Sequence, residues 1–267
     1  MRTAGKMVAQ VLSELADMAR PGVSLDELDQ KAEKLTLSLG AKPAFKGYLG
    51  FRHTLCTSVN EAVVHGVPSK RVLKEGDIIG LDFGLSYQGY FGDSAVTVAI
   101  GKIPAHALQL MKATKDSLYA AIEKCHPGNS LKDLGRAVEG AVKPFNYGIV
   151  REFVGHGIGQ ALHEDPQIPN YEAGASNLKL KAGMTICIEP MINAGTSQVK
   201  VLDDRWTAVT VDGALSAHFE HTIAITDNGP EVLTEWEQPG FQKVFDRVIL
   251  QETSGNRQGT ASELPMN

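Results

Sequence analysis

Cysteine is scarce in this chain: three residues in 267, at Cys56, Cys125 and Cys187. That is too few, and too scattered, for a disulfide framework or a four-thiolate zinc site. No apolar run approaches the ~20 residues that a membrane span requires. Basic residues are not in excess: 26 Lys and Arg against 31 Asp and Glu leave a formal charge of −5, with no electrostatic footprint for nucleic acid or an anionic membrane. The opening MRTAGKMVAQVLSELADM places Glu14 and Asp17 where a signal peptide would be unbroken apolar sequence, which argues against secretion and for the cytoplasm. What remains is an ordinary globular composition, 43% apolar and 21% charged, long enough for one large domain or two small ones.

The chain repeats itself. PGVSLDEL (Pro21 to Leu28) returns as PGNSLKDL (Pro127 to Leu134), an offset of 106. LKEGDIIGLD (Leu73 to Asp82) returns as LKAGMTICIE (Leu180 to Glu189), an offset of 107. Solenoid repeats are far shorter, about 20–50 residues, so the sequence predicts two related halves of one domain. Each octapeptide follows an apolar-periodic stretch and opens a second helix. Ser24 and Ser130 are expected N-caps, with Glu27 and Asp133 three residues on. The period then changes from 3.6 to 2 in DIIGLDFGL, YFGDSAVTVAI, MTICIEPMI and AHFEHTIAIT, which read as strands. Helices followed by strands, twice over, predict an α+β fold with antiparallel sheet. Residues 1–237 are expected to form a single domain. In residues 238–267, Phe241, Val244, Phe245, Val248 and Ile249 have amphipathic-helix spacing, ahead of a tail expected to be disordered.

Acidic residues avoid buried strands, yet Asp82, Asp93, Glu189 and Glu220 sit inside these apolar patterns without basic neighbours in the same strands. A buried carboxylate without a partner costs several kcal/mol, so a cation is expected to meet them. A hairpin symmetric about Tyr87 and Gln88 would place Asp82 directly opposite Asp93, a pairing of like charges that a metal ion would relieve. The repeat adds Glu189, 107 positions after Asp82. His156 in GHGIG stands between glycines, with its ring unobstructed; by itself it reads as a turn histidine. Four carboxylates and one imidazole make a hard, oxygen-rich set, suited to Mn, Fe(II), Co or Zn in a two-metal site.

The segments NEAVVHG, DFGLSYQGYFGDSA, GHGIGQALHEDPQIPNY, TICIEPMIN and SAHFEHTIAITDNG, in that order, closely resemble the type I methionine aminopeptidases over roughly residues 5 to 235. The resemblance implies the pita-bread fold, two pseudo-symmetric halves around two divalent metal ions. It implies removal of N-terminal methionine from nascent chains and peptides with a small second residue, by attack of a metal-activated hydroxide. By motif, Asp82, Asp93, His156, Glu189 and Glu220 are the implied metal ligands, Asp93 and Glu220 bridging. His65 and His163 are the implied substrate-contacting histidines, and Glu189 the proton carrier. Phe45, Tyr48, Phe51, Cys56, Leu162 and Trp206 fall on the methionine pocket, where Leu162 replaces an aromatic residue found in some members. The implied partners are N-terminal Met peptides and nascent chains, with room for a transient ribosome contact. No membrane or specific nucleic-acid partner is expected, and the protein is expected to act as a monomer.

Only 26 positions separate His163 from Glu189, too few for the helical insertion of type II members. With no Cys/His-rich segment ahead of residue 1, this points to the short type I form. Two alternatives stay open on sequence: another pita-bread peptidase of the prolidase or X-Pro aminopeptidase kind, and a pita-bread binding protein without catalysis.

Overall fold

The structure is a computed structural model and describes residues 1–236. The expected helix at 241–250 and the tail lie outside the described residues. The first half contributes helices α1 (Arg2–Met18) and α2 (Leu25–Ser38) and strands β1 (Lys42–Pro43), β2 (Leu55–Val59), β3 (Ala62–Val64), β4 (Ile78–Tyr87) and β5 (Tyr90–Ala99). The second half opens with α3 (Ala105–Ile122) and α4 (Leu131–Val142). Its strands are β6 (Gly148–Ile149), β7 (Gly155–Gly157), β8 (Glu164–Ile168), β9 (Thr185–Ile188), β10 (Met191–Asn193), β11 (Val199–Val201), β12 (Ala208–Thr210), β13 (Ser216–His218), β14 (His221–Thr226) and β15 (Gly229–Val232).

Local chemistry fixes the helix starts. At α2 the Ser24 N–H donates to Glu27 Oε2 (2.8 Å) and the Glu27 N–H donates to Ser24 Oγ (3.3 Å). At α4 the Ser130 N–H donates to Asp133 Oδ2 (2.8 Å). Each cap is worth about 1 kcal/mol. Along α1, Val8, Val11, Leu12 and Leu15 are buried at i, i+3, i+4 and i+7 and turn one apolar stripe into the core.

The repeat is present in the hydrogen bonds as well as in the letters. Ser24 bridges Val72 and Ser130 bridges Lys179. The Gly22 N–H donates to the Leu73 carbonyl and the Gly128 N–H to the Leu180 carbonyl, both at 2.9 Å. The two halves therefore tie the start of the second helix to the segment ahead of the next strand at matching positions.

All the predicted strands form, with two differences of detail. The hairpin β4–β5 closes around Gln88 and Gly89, because both take positive φ (50° and 82°), as a two-residue hairpin loop requires. The register is therefore Asp82↔Ala95 and Gly84↔Asp93, not Asp82↔Asp93. The partner shift is two residues, so both aspartates still share one face, as diagonal neighbours. In the second half the predicted strands are interrupted. MTICIEPMI divides into β9 and β10 at Glu189-Pro190, and AHFEHTIAIT into β13 and β14 at Phe219-Glu220. Proline has no N–H to continue a ladder.

One four-stranded sheet holds β1, β4, β2 and β5, and a five-stranded sheet runs β15-β14-β9-β7-β8. The bridge Ala95↔Glu220 joins β5 to the break before β14. The acidic residues of both halves lie around that seam.

Candidate metal centre and active site

Register places the acids. Cys56 on β2 pairs with Asp82 on β4, Asp82 pairs with Ala95 on β5, and Ala95 bridges Glu220. One row crosses from the first half to the second with a thiol, a carboxylate and a second carboxylate along it. Asp93 sits one step along; its N–H donates to Thr222 Oγ1 (3.1 Å), and that hydroxyl donates back to the Asp93 carbonyl (2.7 Å). In the second half, His221↔Ile188 and Met191↔His218 share one register. The gap between these pairs therefore sets Glu189 against Glu220.

The cluster is buried: Asp93 and Glu220 are 3% exposed, Asp82 9%. An oxygen from each of Asp82, Asp93 and Glu220 lies within 4.8 Å of the others. Asp93 Oδ1 and Glu220 Oε1 are buried with no hydrogen-bond partner among the described residues. Burial raises the Asp82 carboxyl to about 7. Burial, then Glu220 and Asp82, hold Asp93 well above the usual range. Glu189 and Glu220 are raised likewise, by burial first and then by the neighbouring carboxylates. Like charges crowded in low dielectric, with orphaned lone pairs, fit a multivalent cation and little else.

His156 is held at the same site by its glycines. A side chain on Gly155 would meet the Cys187 carbonyl at 2.2 Å, and one on Gly157 the Asp165 carbonyl at 2.3 Å, so only glycine lets β7 fit between β8 and β9. His156 Nδ1 lies 2.8 Å from the Gly157 carbonyl. Donation there leaves Nε2 as the free lone pair, 3.7 Å from Glu189 Oε1. Burial lowers the imidazole to about 4, so it stays neutral.

The acids and His156 border a cavity of about 640 Å³ that also contains every residue expected of the substrate pocket: Phe45, Tyr48, Phe51, Cys56, Leu162 and Trp206, with His65 and His163. Phe45, Phe51, Cys56 and Leu162 belong to one buried apolar cluster, on which Trp206 packs. The Phe51 and Trp206 rings meet edge-on, centroids 5.0 Å apart. His163 lies 4.3 Å from His156, ring to ring, and its Nδ1 is 2.7 Å from the Tyr48 hydroxyl. His65 takes a left-handed φ of 58°, a strained choice for a non-glycine residue, with its ring edge-on to Phe153. Burial lowers it to about 4, and His163 adds to the effect.

Two residues that sequence reasoning passed over reach this site. Cys187 offers its thiol within 4.8 Å of His156 and Glu220 ligand atoms. His218, 3% exposed, points Nε2 at Glu189 Oε2 from 3.8 Å. Its signal was the period of two: in HFE, His218 and Glu220 alternate onto one face.

Comparison with known proteins now decides the family. The model of metallopeptidase family M24 matches residues 1–227. The chain belongs to this family, and within it to the methionine aminopeptidases. It is 50% identical over 234 residues to "Methionine aminopeptidase 1" of Bacillus subtilis, covering 88% of this chain and 94% of that one. It is 44% identical to "Methionine aminopeptidase" of Aquifex aeolicus, with 88% and 95% covered. The crystal structure of the Thermotoga maritima methionine aminopeptidase superposes with a TM-score of 0.86 at 45% identity, covering 88% and 95%. A Pyrococcus horikoshii prolidase shares the fold at a TM-score of 0.71 and 24% identity, and this chain covers 61% of it. The pita-bread architecture expected from the sequence is therefore the observed one, and the metallopeptidase is an enzyme, a metallo-aminopeptidase. Among its described residues no helix is long and apolar enough to cross a membrane.

Proposed function

We propose that the cavity removes N-terminal methionine from newly made proteins and peptides with a small second residue, using two divalent ions. The observation that carries this reading is the convergence of Asp82, Asp93 and Glu220, with two orphaned oxygens, at the wall of an apolar pocket. Asp82, Asp93, His156, Glu189 and Glu220 would hold the ions. Mn, Fe, Co and Zn all suit such hard oxygen donors with one imidazole. Bound ions supply Lewis acidity, lowering the pKa of water and polarising a carbonyl.

The chain's own groups do the rest. Glu189 takes a proton from water and returns it to the leaving amine. We assign the Tyr48 hydroxyl, 2.7 Å from His163 Nδ1, as the donor to it, which leaves the His163 Nε2–H to donate to the scissile carbonyl as negative charge develops there. His65 orients the peptide beside it. Phe45, Phe51, Leu162 and Trp206 hold the methionine side chain, and Cys56 supplies a small soft contact for the thioether. We assign residues 1–237 as the catalytic domain, acting as a monomer on nascent chains in the cytoplasm, with transient ribosome contact.

The test is hydrolysis by the metal-supplied full chain, with manganese and cobalt titrated separately. Met-Ala-Ser should lose methionine, Met-Leu-Ser react poorly and Ala-Pro peptides stay intact. Preference for the X-Pro peptides would overturn the reading. Near-wild-type turnover by Asp93→Asn would remove the ligand assignment.

A further inference from the structure

One buried group beside the cluster has no task in that scheme. His218 ends β13, is 3% exposed, and its Nε2 has no hydrogen-bond partner among the described residues. Its position is set firmly. The His218 N–H donates to Thr97 Oγ1 and the Thr97 hydroxyl donates to the His218 carbonyl, both at 2.9 Å. A buried polar atom without a partner is costly, so a donor or acceptor is expected to meet it. The nearest use for Nε2 is Glu189. The two oxygens of that carboxylate face different histidines: Oε1 lies 3.7 Å from His156 Nε2, and Oε2 lies 3.8 Å from His218 Nε2.

We propose that His218 is a positioning residue for Glu189, donating its Nε2–H to Oε2 and so leaving Oε1 to the ion shared with His156. This rests on the assignment of Glu189 as a metal ligand. Closing 3.8 Å to a hydrogen bond takes less than about 1 Å of side-chain motion. A neutral donor behind a ligating carboxylate fixes its rotation, and loss of such a partner weakens metal binding roughly 10–100-fold. His218 is neither a catalytic residue nor a ligand in this account; it acts through Glu189.

Manganese binding to the full chain, measured by titration calorimetry, tests the proposal without reference to turnover. His218→Leu should weaken binding by that roughly 10–100-fold. His218→Gln, which restores a neutral N–H donor of similar reach, should return it to near wild type. Wild-type affinity in His218→Leu overturns the proposal. So does His218→Gln binding as weakly as His218→Leu, which would make the imidazole a ligand. If the wild-type chain bound no manganese, or Asp93→Asn bound it equally well, the metal-site assignment itself would fall. A measurement on the wild-type protein covers the case in which His218→Leu does not fold. In the zinc-loaded, 15N-histidine-labelled chain, His218 should carry its proton on Nε2; an unprotonated Nε2 overturns the proposal.

Discussion

Replacing a carboxylate of the centre should stabilise the metal-free protein while destroying its use. Burial holds the Asp82 carboxyl at about 7 against an ordinary 3.8. Because this acid binds its proton more tightly in the folded state than in the unfolded one, it costs the fold nothing below about pH 4. The cost grows as pH rises to 7 and is constant above. At 1.36 kcal/mol per pKa unit, the full cost is about 4 kcal/mol. Asp82→Asn abolishes the titration but leaves a buried amide whose unmet donors take back about 1–3 kcal/mol. The net gain for the variant at pH 7.5 is then about 1–3 kcal/mol, or about 2–4 °C in Tm per kcal/mol for a chain of this size. At pH 4 the gain vanishes and the unmet amide leaves the variant the weaker of the two. With divalent metal at about a thousandfold over Kd, the wild type gains about 4 kcal/mol by mass action and overtakes the variant. Guanidinium unfolding of both proteins at pH 4 and 7.5, with EDTA and with manganese, measures all of this. Equal stability in EDTA at pH 7.5, or a wild-type metal-free protein that grows more stable between pH 5 and 7, would refute the account of the cluster as uncompensated charge.

The same raised carboxyls make metal uptake proton-linked: near pH 6 the cluster holds protons that an ion must displace. Calorimetry in buffers of different ionisation enthalpy should then report protons released, and a buffer-independent heat would contradict it. Tyr48→Phe removes the partner of His163 Nδ1 and should lower kcat about 3–10-fold, the worth of one hydrogen bond, with Met-over-Leu preference unchanged; altered preference at unchanged kcat would make Tyr48 a pocket wall only. Phe51→Ala opens the apolar cluster under the methionine side chain and should raise KM for Met-Ala-Ser about tenfold or more, in line with 1–3 kcal/mol for small changes in an apolar pocket; a loss confined to kcat would contradict the pocket assignment.

Local rules made much of this molecule readable. Ser24 and Ser130 cap their helices with the acids three residues on, because a capping box is complete within four residues. Asp82, Asp93, Glu189 and Glu220 were conspicuous because apolar period-2 strands have no ordinary place for them. The turn centre of the hairpin was missed by one position, and the register with it by two, because a turn centre depends on which residues accept positive φ, and Gln88 gives a weak signal for that. His218 was passed over because the letters do not show that its ring ends 3.8 Å from the carboxylate of Glu189, a residue 29 positions away. The pocket residues were legible only through the family resemblance. Phe45, Cys56, Leu162 and Trp206 are 161 positions apart at the extremes, and no local pattern brings them together.

The departure from symmetry between the halves explains how four acids fit one seam. In the first half β4 and β5 run uninterrupted, and two short aspartates on one face sit diagonally, avoiding direct opposition. In the second half the register that places Glu189 directly across from Glu220 holds on both sides of the break between the strands. Like charges directly across a ladder are unfavourable, and Pro190 cannot donate to one. At the gap the backbones still approach, the Phe219 N–H lying 3.5 Å from the Pro190 carbonyl, while the longer glutamate side chains reach back toward the aspartates. The opposition of acids expected in the first half is thus realised in the second, at the break where the Glu220 backbone turns to pair with Ala95 of the first half.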